Sequence, residues 1–198
     1  MTDPLTISSD KTALLIMDYQ IGIVARVPNG SEAALRKAAA VLAAARRARI
    51  PVIYVQVGFR RGYPEVSKRN QSFSAMSQTG RFIIPDDPDS GIHPSVAPAR
   101  DDVIVVKKRI SAFAGSDLEM ILRARDIDTL ILFGISTSGV VLSTVRQAAD
   151  MDYRMIVIKD CCLDRDDEVH RVLTEKVFPP HTTVLTSDEI VPLLRPRS

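Results

Sequence analysis

Six short apolar runs, rich in valine and isoleucine, punctuate the chain. They are Thr12–Met17, Val52–Val57, Val103–Val106, Thr129–Phe133, Arg154–Ile158 and a weaker one at Thr182–Leu185. Their hydrophobicity is nearly continuous instead of alternating, which is the pattern of strands covered on both faces. Between them the apolar spacing changes to three and four. Leu35, Ala38, Ala39, Leu42 and Ala45 predict a helix that Ile50-Pro51 stops. Ser116 to Glu119 has the form of a capping box and predicts the start of a second helix. A third is predicted over Ser138–Met151, and a fourth over Asp166–Val177 with Val169, Val172, Leu173 and Val177 on one face. Strand–helix alternation of this kind predicts an α/β fold, a parallel sheet with helices on both sides.

One stretch breaks the rhythm. From Gly58 to Arg100 there is little periodicity, and Pro, Gly, Ser and Arg are frequent. A segment this long inside a compact domain points to a lid or a subunit contact. No repeat or linker divides the 198 residues, so a single domain over 1–198 is expected. The balance of 45% hydrophobic and 25% charged positions is that of an ordinary soluble protein. The formal charge of +2 lacks the basic surplus that phosphate contacts need, so no nucleic acid is expected as partner. No apolar run reaches the roughly 20 residues of a membrane span. The segment Met1–Ile7 has neither a basic stretch nor an apolar one, so no signal peptide is expected there. Cys161 and Cys162 are adjacent, a poor geometry for pairing with each other. A disulfide-free, cytoplasmic protein is the expectation.

Ligands of open α/β sheets bind beyond the carboxyl ends of the strands. Three ends carry chemistry. The first strand runs into Asp18-Tyr19-Gln20, the third into Lys107-Lys108-Arg109, and the fourth into Gly134–Gly139 ahead of a helix. An acid and a lysine at neighbouring strand ends perturb each other's proton affinity, as a proton-transfer pair requires. The alternative is that Asp18 caps a turn and meets Lys107 as an ordinary surface ion pair. The three histidines are scattered, so no catalytic metal is expected. No glycine-rich fingerprint follows the first strand, so no nucleotide cofactor is expected either.

Leu14–Gln20, Lys107–Phe113 and Gly134–Thr144 with Ala148–Asp150, in that order and spacing, resemble the isochorismatase-like (cysteine hydrolase) family. The likeness runs from about Thr12 to Leu185. It implies a three-layer αβα sandwich with a six-stranded parallel sheet, Rossmann-like, assembled as a homo-oligomer (dimer or tetramer). It implies a small-molecule substrate and a hydrolytic reaction. It gives Asp18 the role of general acid or base and Lys107, four residues before Ser111-Ala112-Phe113, that of its support. It implies a cis peptide at Ile135–Ser136 and an oxyanion site from amides of that stretch, Gly139 included.

Amidase members of the family carry a cysteine four residues before the threonine matching Thr144. Here that position is Val140. Valine has no nucleophilic atom, so the thioester route is closed at that site. Isochorismatase members also lack the cysteine and hydrolyse a vinyl ether with the aspartate as acid, but they resemble one another around a glycine there. Cys161 and Cys162 read as small buried hydrophobes. Three readings stay open: a cysteine-free hydrolase of a small, carboxylated molecule; a catalytically inactive member that binds a ligand or partner; and an amidase with another nucleophile, Ser138 or Ser143. Gln20, Arg60 and Phe113 are candidate substrate contacts, with Arg60-Arg61 placed to meet an anion.

Overall fold

In the computed structural model, which describes residues 7–27 and 31–194, the six apolar runs form one sheet. The strands are β1 (Thr12–Met17), β2 (Val52–Val57), β3 (Val103–Lys107), β4 (Thr129–Gly134), β5 (Arg154–Ile158) and β6 (Thr183–Leu185). Every pairing is parallel, in the order β3-β2-β1-β4-β5-β6. Among the described residues seven α-helices accompany them: α1 (Ile21–Val24), α2 (Ser31–Arg47), α3 (Gln71–Ser77), α4 (Leu118–Ala124), α5 (Leu142–Asp150), α6 (Asp167–Val172) and α7 (Ser187–Ile190). The chain builds outward from β1 to β3, crosses back to β4, and continues outward to β6. The order reverses between β1 and β4, which is where such sheets bind ligands. All six residues of β1 and of β4 are buried, as their unbroken hydrophobicity requires.

Helix α2 follows the expected stripe: Leu35, Ala38, Leu42 and Ala45 are buried. Elsewhere local chemistry departs from the pattern. The N-cap position of α4 falls on Asp117, which makes no side-chain cap; Ser116 instead donates its hydroxyl to Ala112 O at 2.6 Å and accepts the Leu118 N–H at 3.3 Å. The third predicted helix opens with one wide π turn over Thr137–Val141 before α5. The fourth, α6, ends in another such turn over Leu173–Val177. Val169 is exposed there, because Leu173 and Thr174 supply the buried side of that segment instead.

The aperiodic stretch is more ordered than its composition suggests. It holds α3 and two short 3₁₀ turns, Pro88–Ser90 and Pro94–Val96. Val57, Phe59, Phe73 and Phe82 form a small core of its own, separate from the main one. The start of the chain, Met1–Thr6, lies outside the described residues. Among the described residues no helix is long and apolar enough to cross a membrane.

Candidate active site

The switch point brings the ends of β1, β3 and β4 together around the end of β2. Asp18 follows Met17, whose register partner on β4 is Gly134, so Asp18 stands beside Ile135. Its backbone is left-handed, with φ of 55°, a conformation aspartate tolerates better than most residues. Lys107, the last residue of β3, is in register with Val57 at the end of β2. Its Nζ lies 2.9 Å from Asp18 Oδ2 and donates to Arg109 O at 3.0 Å.

This is no surface ion pair. Asp18 is 5% and Lys107 2% exposed. Asp18 Oδ1 is buried and has no hydrogen-bond partner among the described residues. Burial pushes the Asp18 carboxyl above the ordinary aspartate range, while Lys107 and the Val57 backbone pull it down and only partly compensate. The outcome is a carboxyl with one oxygen held by an ammonium and the other unsatisfied.

Gln20 is fully buried, and its amide is committed to the backbone. It donates to Val57 O and Ser90 O, both at 3.0 Å, and accepts from Val57 N–H at 2.8 Å. It ties the end of β2 to the Pro88–Ser90 turn and has no face for a ligand, contrary to the expectation from its place beside Asp18.

Beyond β4 the Ile135–Ser136 peptide is cis. The turn that follows is anchored from the segment after β5. Thr137 N–H donates to Leu163 O at 2.8 Å, Ser138 N–H to Asp164 Oδ2 at 2.7 Å, and the buried Thr137 hydroxyl pairs with His170 Nδ1 at 2.8 Å. Gly139 N–H donates to Ser136 Oγ at 3.1 Å, so it is not a free oxyanion donor as the family likeness implied. Val140 is 2% exposed and packs toward Gly134, where an added Cβ would sit 3.1 Å from its Cγ1.

Other expected residues fall elsewhere. Arg60 is 73% exposed and paired with Glu65 at 2.5 Å, because the turn after Phe59 carries it outward. Phe113 belongs to the main core; its ring lies 5.8 Å from Tyr153, which precedes β5 and so sits at the opposite end of the sheet from Asp18. Cys161 and Cys162 are 0% and 2% exposed. Burial raises both thiols, that of Cys162 to about 12. Among the described residues the Ser138 and Ser143 hydroxyls have no base within hydrogen-bond reach, and no three His, Cys, Asp or Glu side chains gather closely enough for a metal ion.

A recess of about 330 Å³ opens beside Ile135 and Ser136, lined also by Ile23, Arg26, Asp164 and Arg165. The two arginines are the residues that pattern reading missed. Each stands alone in its segment, with no motif to mark it.

The Isochorismatase domain family matches residues 12–189. The uncharacterized isochorismatase family protein YecD of Escherichia coli O157:H7 is 32% identical over 190 residues, covering 94% of this chain and 98% of its own. Ureidoacrylate amidohydrolase RutB of Azorhizobium caulinodans is 29% identical, over 80% of this chain and 78% of its own. The crystal structure of a cysteine hydrolase from Pseudomonas syringae pv. phaseolicola 1448A superposes with a TM-score of 0.87 at 25% identity, covering 98% of both chains. With a family match over most of its length and the three-layer parallel architecture to go with it, this chain belongs to the isochorismatase family of hydrolases.

Proposed function

We propose that the chain hydrolyses a small carboxylated molecule by acid–base chemistry at Asp18, with Lys107 setting the charge of that carboxyl and no cysteine acting as nucleophile. The observation that carries this reading is the buried Asp18–Lys107 pair at the switch point, with one carboxylate oxygen unsatisfied. A carboxyl lifted by burial keeps its proton to higher pH and can deliver it. Protonation at carbon of a vinyl ether gives a cation that water captures; the adduct then breaks to a carbonyl compound and an alcohol. That route needs a proton donor and a water, and no thiolate.

Three features support the cysteine-free part. Valine occupies the position where amidase members carry cysteine. Both cysteines present are buried, with thiols held in the protonated form. Among the described residues, neither Ser138 nor Ser143 has a base within hydrogen-bond reach. Relatives named as amidohydrolases make amide hydrolysis the competing chemistry, and the test separates the two.

The test is turnover, followed by mass spectrometry, of a panel holding isochorismate, other enol ethers and small amides. Wild type, Asp18→Asn and a Cys161→Ala/Cys162→Ala double variant are run together. Consumption of a vinyl ether by wild type and the cysteine variant, but not by Asp18→Asn, is the expected result. Amide turnover that disappears with the cysteines overturns the cysteine-free route. Turnover unchanged in Asp18→Asn overturns the role of Asp18, and a silent panel favours a ligand-binding member over an enzyme.

A further inference from the structure

We infer that the recess beside Ile135 and Ser136 is an anion subsite, in which Arg26 and Arg165 grip a carboxylate of the substrate. This deepens the hydrolase reading and rests on it. The two side chains arrive from opposite sides of the switch point, Arg26 from the turn after α1 and Arg165 from the segment between β5 and α6. Among the described residues no carboxylate lies within ion-pair distance of either guanidinium. Asp164, the carboxylate in the lining, is already occupied: one oxygen takes the Ser138 N–H at 2.7 Å and the other the Arg165 N–H at 2.9 Å. The walls therefore carry two unmatched cations and one acid engaged with backbone amides.

The neighbourhood holds Arg26 in place without neutralising it. Its guanidinium lies 5.6 Å from the centre of the Phe82 ring, which belongs to the small core of the 58–100 segment. Arg81, whose charge reaches Arg26, is itself matched by Asp89 at 2.5 Å. Gly22 makes room for that acid, since a Cβ there would come within 2.7 Å of Asp89 Cβ. Burial and the like charges of Arg81 and Arg165 all work against the protonated form of Arg26, with Asp89 opposing. A carboxylate between Arg26 and Arg165 relieves that repulsion and matches the planar, forked geometry of guanidinium. Ile135, which lines the recess, is the residue that stands beside Asp18 across the β1–β4 register. A bound acid would thus point its carboxylate at the arginines and its reacting group toward the Asp18 side.

The experiment is calorimetric titration of the full chain with succinate and with its uncharged counterpart, succinamide. Wild type, Arg26→Met, Arg165→Met and Arg61→Met are compared; Arg61 is an exposed arginine paired with Asp86, away from the recess lining. Wild type should bind succinate more tightly than succinamide, and added salt should weaken it. Each recess variant should lose about tenfold or more in affinity for succinate, the size of one charged hydrogen bond. Arg61→Met should bind as wild type does. Equal binding of the two probes, no succinate binding by wild type, or recess variants indistinguishable from wild type would each overturn the subsite. The hydrolase reading fails by a separate result, turnover persisting in Asp18→Asn, so the two can fall independently.

Discussion

Replacing Lys107 by methionine removes the ammonium and keeps most of its apolar stem. Asp18 Oδ2 then loses its partner at 2.9 Å, and Oδ1 has none among the described residues. A carboxylate buried to 5% exposure without a counter-charge escapes by taking a proton. In the unfolded chain it titrates near 3.8, so holding it neutral at pH 7 costs at most about 4 kcal/mol, from the 1.36 kcal/mol that each pH unit carries. The same ceiling falls to under about 2 kcal/mol at pH 5. Wild type already bears part of this cost, because its own Asp18 is raised. The sign follows from linkage. A carboxyl whose folded value is raised gives stability that is fully present below its unfolded value and is lost as pH rises. The deficit of Lys107→Met against wild type is therefore small near pH 4 and grows toward pH 7. Urea denaturation at pH 4.5, 5.5 and 7 measures it, with Asp18→Asn/Lys107→Met as the control in which the pH-dependent part vanishes. A deficit that is the same at every pH would refute the reasoning, since it would mean that Asp18 is not ionised opposite Lys107.

Three further outcomes follow from the same geometry. Gln20→Leu strands the buried Val57 N–H and the Val57 and Ser90 carbonyls, and should cost about 2–5 kcal/mol in denaturant unfolding; a loss under about 1 kcal/mol would show that the amide is not what ties these strands. Gly22→Ala places a methyl 2.7 Å from Asp89 Cβ and should destabilise by about 1–3 kcal/mol in the same assay, whereas a neutral result would contradict the close approach. Cys161 and Cys162 should ignore Ellman's reagent at pH 8 in the native protein and react fully once unfolded; rapid native labelling of either would reopen the cysteine route.

The strands were readable because burial on both faces leaves an unbroken apolar run, and β1, β2 and β5 keep the bounds that the pattern predicts. The order of the strands is not written in any single run: the strand–helix alternation pointed to a parallel sheet and the family likeness to six strands, and the order itself is seen only in the fold. Gly58–Arg100 resisted reading because its core is made of aromatic residues at irregular intervals, with no period for a pattern to find. At the site, the Asp18–Lys107 pairing was legible from two strand ends. Its burial was not, since that depends on how the segments beyond β2 and β4 close over it. Gln20 shows the opposite failure: a polar residue next to a catalytic candidate reads as a ligand contact, yet backbone groups of two other segments consume it. Ser116 is similar in part, its hydroxyl shared between Ala112 O and the Leu118 N–H while the N-cap position passes to Asp117. Arg26 and Arg165 could not be joined at all without the fold.

A buried ion pair is a weak way to hold a core together, since the desolvation of two charges can exceed their attraction. Here the direction of the Asp18 shift says that burial outweighs Lys107. An apolar pair of similar size would fill the same space between β1 and β3 at lower cost. The surrounding structure nonetheless is organised to keep the pair in place. Gln20 fixes the end of β2 that stands between the two side chains' strands, and Gly58 leaves room for Ile84 to pack beside Val106, where a Cβ would come within 2.1 Å of Ile84 Cδ1. Nothing in packing requires an acid whose second oxygen is unsatisfied. On the proposed reading a proton-transfer group does require it, because an oxygen already engaged by the protein is not free to exchange a proton with a ligand. The destabilised pair and the unmatched arginines of the recess are the same kind of evidence: charges that the fold leaves incomplete and that a ligand can complete.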